Sequence, residues 1–137
     1  MATLEQHVDQ WRHNRQLISL IPQTHPDWIA TLAFYSALQA IDALLASGGF
    51  TPKDHKQRND VLCRTNTYAQ IWKHYSPLYQ ICRTVRYIPD PTQWVPFEKI
   101  EQTVLQGYLY KVEESVRNLL NKEAEVFPAF ERIKLNV

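Results

Sequence analysis

Residues 26–47 read PDWIATLAFYSALQAIDALLAS, an unbroken run without glycine whose one proline stands at its start. Pro26 suits an early helical position, Asp27 suits the positive end of the helix dipole, and Gly48-Gly49 closes the run. Trp28, Ile29, Leu32, Ala33, Phe34, Ala37, Leu38, Ile41, Leu44 and Leu45 spread apolar surface over most of the cylinder. A helix this apolar all round belongs in the centre of a bundle. Thr31, Ser36, Gln39 and Asp42 interrupt it, whereas a membrane span needs about 20 predominantly apolar residues, so the reading is a core helix over 26–47.

The flanking segments supply partners for that helix. Leu4, Val8, Trp11, Ile18 and Ile21 recur at three- and four-residue steps, which predicts a helix over 4–21 stopped by Pro22. The polar stretch from Thr51 to Arg64 reads as a loop leading into a short helix. Ile71, Trp72, Tyr75, Tyr79 and Cys82 predict a helix over 67–87, with Pro77 kinking it or restarting it after Ser76. Prolines 89, 91 and 96 mark a loop. Phe97, Ile100, Val104, Tyr108, Val112, Val116 and Leu119 then predict a long helix over 97–121, and the tail from Phe127 to Val137 is expected to add one short helix. The expected fold is all-α: an antiparallel bundle of four to five helices forming a single domain over 1–137.

With 137 residues, 45 % hydrophobic and 21 % charged, the composition is that of one globular domain able to bury its own core. A net charge of +1 argues against whole-surface attraction to nucleic acid or anionic lipid, so any nucleic-acid contact has to be local. Cys63 and Cys82 lie outside metal-ligand spacing and no apolar leader is present, which reads as a reducing cytoplasm with no membrane partner. The chain lacks a phosphate-binding glycine loop, HExxH, CxxC and GxSxG. His7, His13, His25, His55 and His74 form no metal-ligand pair on one helix, so neither metal nor cofactor is expected.

Three features can carry chemistry. On the core helix Thr31, Tyr35, Gln39 and Asp42 align along one narrow line, either facing solvent or forming a buried polar seam in which each group needs a partner. For Asp42 the expected partner is Arg83 or Arg86. Asn14, on the apolar stripe of the first helix, reads as a helix–helix hydrogen bond. In His55-Lys56-Gln57-Arg58-Asn59 an imidazole, a guanidinium and an amide fall within one helical turn, or else form an ordinary solvated charged run. Such a trio suits phosphodiester chemistry: Arg58 would hold the phosphate, His55 would move the proton and Asn59 would orient either one. Arg83, Arg86 and Tyr87 form either an anion-binding rim beside that segment or the usual cationic end of a helix. Tyr35, Gln39 and Asp42 would then form the floor of the pocket.

Taken together, Asp27-Trp28, Phe34-Tyr35-Ser36-Ala37-Leu38, His55-Lys56-Gln57-Arg58-Asn59, Tyr75 to Tyr79 and Arg83 with Arg86-Tyr87 resemble the small prokaryotic HEPN-like proteins. The likeness covers roughly residues 7–87. It implies a four- or five-helix bundle, frequently a homodimer, in a superfamily containing many metal-independent ribonucleases of toxin and antiviral systems. The superfamily's ribonuclease motif places an arginine shortly before a histidine; here His55 precedes Arg58, and Gln39 stands where small members carry a histidine. The resemblance therefore implies two functions: an RNA-cleaving enzyme using His55, Arg58 and Asn59, or a noncatalytic module binding a nucleotide or a cognate protein.

Overall fold

In the computed structural model, which describes residues 1–135, the chain is a bundle of five helices with no strand among the described residues. Helix α1 spans Leu4–Ile18, α2 Pro26–Ser47, α3 His55–Arg64 and α4 Ala69–Tyr87; α5 covers 97–120. Each start has a local cause. Thr3 caps α1 reciprocally with Gln6: its hydroxyl accepts from Gln6 N at 3.1 Å while Gln6 Oε1 accepts from Thr3 N at 2.9 Å. Pro26 opens α2, and Asp54 caps α3 by accepting from Gln57 N at 2.8 Å. After α2 the chain turns at Gly49, whose φ of 81° is the one positive value in the described backbone.

Helix α2 is the centre, packed on α1, α4 and α5, with α3 laid against α4. Ile29, Ala33, Ala37 and Ile41 are completely buried. It is also the one helix among the described residues long and apolar enough to cross a membrane, and most of that surface is buried in the bundle. Trp28 departs from expectation: in the first turn of α2 it is 56 % exposed, while Ile29 beside it is completely buried.

Elsewhere the chain departs from the sequence reading in four places. Helix α1 ends at Ile18 rather than running to Pro22, and 19–25 form turns. Helix α4 starts at Ala69, after a short 3-10 turn Asn66–Tyr68, rather than at 67, and carries Pro77 inside it without restarting. Ile71, Tyr75, Leu78 and Cys82 are buried on both sides of the proline. Helix α5 begins with one α turn, widens into a π-helix over Ile100–Leu109 and finishes as an α-helix over Tyr110–Leu120. A Cβ on Gly107 would lie 3.0 Å from the Gln102 carbonyl oxygen, so this wide stretch leaves little room for a larger residue.

The tail holds no helix among its described residues, and Asn136 and Val137 of the expected tail helix lie outside them. Instead the Asn121 side chain binds the backbone of Val126 and Phe127, Pro128 follows, and an irregular strap buries Phe127 and Ile133. The strap crosses a buried polar cluster where Glu113 accepts from Trp11 Nε1 at 2.6 Å and its Oε2 lies 2.6 Å from Arg15 Nε. Burial pushes the Glu113 carboxyl up to about 7, against the pull of Arg15 and Trp11.

Candidate functional site

The polar line on α2 is a seam, and each member is satisfied differently. Thr31 donates to the Asp27 carbonyl within its own helix at 2.8 Å. Tyr35 accepts from Arg86 Nη1 on α4 at 2.7 Å, and Gln39 Oε1 accepts from His7 Nδ1 on α1 at 2.7 Å. Asp42 takes a bidentate pair from α3: Arg58 Nε to Oδ1 at 2.8 Å and Nη2 to Oδ2 at 2.9 Å. The expected partner for Asp42, Arg83 or Arg86, is thus corrected to Arg58. Those two arginines sit in the last turns of α4, where Arg86 reaches Tyr35, about two helical turns from Asp42 along α2. Asn14 is also satisfied locally, accepting from Gln10 Nε2 at 2.9 Å in the same helix rather than from another one.

Arg58 is consequently unavailable for the role of holding a phosphate. Its side chain is 8 % exposed. Nε and Nη2 are spent on Asp42, and Nη1 lies 3.2 Å from His55 Nδ1. Burial opposes its charge, but the hydrogen bonds and charge of Asp42 more than offset that and hold the guanidinium protonated.

This contact settles the chemistry of His55. A guanidinium only donates, so Nδ1 of His55 accepts and the ring proton stands on Nε2. Burial lowers the pKa of His55, and the charges of Arg58 and Arg86 lower it further. At neutral pH the ring is uncharged, its lone pair already occupied and its Nε2–H the one group left to offer. A general base needs a free lone pair, and that of Nδ1 faces Arg58. In this arrangement His55 presents its Nε2–H to the pocket as a hydrogen-bond donor held from behind by Arg58.

His55 opens on a cavity of about 540 Å³ lined by Phe34, Tyr35, His55, Tyr79, Cys82, Arg83, Arg86 and Tyr87. The expected grouping of His55, Tyr35 and the Arg83–Tyr87 rim in one pocket is present. Four site residues fall outside the lining. Arg58 and Asp42 stand behind His55 as its support, and Gln39 lines a separate opening beside His7 and Gln10. Asn59 is also not in the lining; its Oδ1 is buried without a partner.

The cations at the rim are held over rings: Arg86 lies 5.9 Å from the Tyr35 ring and 5.3 Å from Tyr87, and Arg83 lies 5.8 Å from Tyr79. The sequence marks Phe34, Tyr79 and Cys82 as positions on apolar helix faces and not as pocket residues. Tyr79, Arg83 and Arg86 recur at steps of four and three, the one sequence signal that could have placed Tyr79 beside the rim. Burial pushes the Cys82 thiol up, leaving it neutral in the pocket wall. Among the described residues no three His, Cys, Asp or Glu side chains come close enough together to hold a metal ion.

No family model matches this chain, and no curated protein or solved structure is significantly similar to it.

Proposed function

We propose that this chain is a HEPN-like module that binds a nucleotide, free or within single-stranded RNA, and does not cleave it. The observation that carries this reading is the cavity in which two exposed arginines, three tyrosine rings and the His55 Nε2–H converge. Arginine guanidinium groups recognise phosphate oxygens through paired donors, and tyrosine faces stack on nucleobases in a sequence-tolerant way. The Nε2–H of His55 adds a donor whose direction is fixed from behind by Arg58 and Asp42. Against cleavage stand the occupied Nδ1 lone pair and the committed Arg58. A homodimer in a reducing cytoplasm belongs to this reading: Tyr87 and Ile88, exposed beside the rim, offer apolar surface to a second copy.

The test combines fluorescence anisotropy of a short labelled single-stranded RNA with recovery of that RNA on a denaturing gel. Saturable binding, weakened about tenfold or more by Arg83→Ala with Arg86→Ala, with the RNA recovered intact, is the expected result. Cleavage that survives chelator and repurification and is lost in His55→Ala would restore the enzymatic reading.

A further inference from the structure

A second cavity, of about 420 Å³, lies between α1 and the tail strap and is lined by Arg12, Arg15, Ser19, Arg132 and Lys134 among others. We propose that it binds a condensed phosphate, a linear diphosphate or triphosphate group, independently of the pocket at His55.

Charge is the first argument. Four of the fifteen lysines and arginines of a chain with net charge +1 surround this one opening. Their carboxylates are too few. Glu131 lines the cavity, Asp9 stands 3.4 Å from Arg12, and Glu113 is completely buried beneath Arg15 and reaches no other cation of the group. Cations gathered in one concave site repel one another unless an anion joins them, and concave walls concentrate that field.

The second argument is that two of the guanidinium groups are fixed in advance. Arg15 lies between the rings of Trp11 and Phe130, at 5.4 and 5.3 Å, and donates to the Glu131 carbonyl at 2.5 Å. Arg132 lies 4.8 Å from the Tyr110 ring. Groups held this way lose little freedom when a ligand arrives. Arg12 and Lys134 complete the rim from opposite sides, one from α1 and one from the strap. On the strap Arg132 and Lys134 are exposed while Ile133 between them is buried.

Trp11 is buried and no tyrosine lines this opening, whereas three line the pocket at His55. What the site can recognise is phosphate: Arg15 is already paired with Glu113, and the three remaining cations, Arg12, Arg132 and Lys134, still exceed what one phosphate group would engage. That separates it from the tyrosine-lined pocket at His55.

The experiment is calorimetric titration of the full chain with sodium triphosphate, and in separate arms with ATP, orthophosphate and sulfate at matched ionic strength. One saturable triphosphate site is expected, with ATP bound comparably through its phosphates. The affinity should fall about tenfold or more in Arg132→Ser with Lys134→Ser, and also in Arg12→Ser, with melting temperatures unchanged. Arg86→Ala should leave it intact. Orthophosphate or sulfate binding as tightly as triphosphate would overturn the proposal. So would triphosphate affinity indifferent to these substitutions, ATP binding that depends on Arg86 alone, or the absence of saturable binding.

Discussion

Replacing Arg58 by Met, Asp42 by Leu, and both together gives a mutant cycle on the pair that supports His55. Both side chains are 8 % exposed and are joined by two hydrogen bonds, at 2.8 and 2.9 Å. Removing one partner leaves a buried charge uncompensated, at a cost of about 3–5 kcal/mol, a large part of the roughly 5–15 kcal/mol available to a domain. At about 4 °C per kcal/mol that lowers the melting temperature by about 12–20 °C. In Arg58→Met the orphaned Asp42 can escape by taking a proton, so the loss should be greater at about pH 8 than at about pH 5. The double variant, with apolar side chains filling the same space, should return to within about 1–2 kcal/mol of the parent. Urea unfolding followed by far-ultraviolet circular dichroism measures all four proteins. A single variant losing less than about 1 kcal/mol, or losses that simply add in the double variant, would refute the claim that the pair is buried and coupled.

Further outcomes follow from the same geometry. His55 should titrate below the ordinary histidine value by NMR and move back towards it in Arg58→Met, since Arg58 is one of the groups holding it down. Because its folded pKa is lowered, its contribution to stability is present above about pH 6.5 and is lost as pH falls through the folded value. Glu113 has the opposite sign. With a folded pKa of about 7 against an ordinary value of 4.5, it binds its proton more tightly when folded, so stability falls as pH rises between these values. The drop is about 3 kcal/mol, and Glu113→Gln should flatten it in urea unfolding measured across that range. Gly107→Ala, which in an α-helix would gain about 1 kcal/mol, should gain nothing or lose stability, because its Cβ would press on the Gln102 carbonyl at 3.0 Å.

How much was legible depended on whether the signal was local. The order of the four long helices followed from apolar spacing, Pro26 and the glycines after Ser47, all of which act within a few residues, while α3 was legible only as a short helix within a polar stretch. The seam on α2 was visible because a polar line stands out on an otherwise apolar cylinder. Its pairing was not. Which element crosses α2 beside Asp42 is set by how α3 packs, and nothing near Arg58 in sequence distinguishes a buried guanidinium from a solvated one. The π-helix escaped for a similar reason, since Ile100, Val104, Leu105 and Leu109 read as an ordinary apolar stripe and only Gly107 hints at the wider turn. The tail was misread because Phe127 and Ile133 find their partners on distant helices, not within their own segment.

The role assigned to His55 can be observed directly. In protein labelled with nitrogen-15 at histidine, the ring nitrogens of His55 report which one carries the proton, and a short single-stranded RNA can be added at about pH 7. The expected result is a neutral ring protonated at Nε2 before addition, the same tautomer afterwards, and a shifted, slower-exchanging Nε2–H as it donates to the ligand. A ring protonated at Nδ1, a ring that becomes charged on RNA addition, or a His55 resonance that saturating RNA leaves unmoved would contradict it.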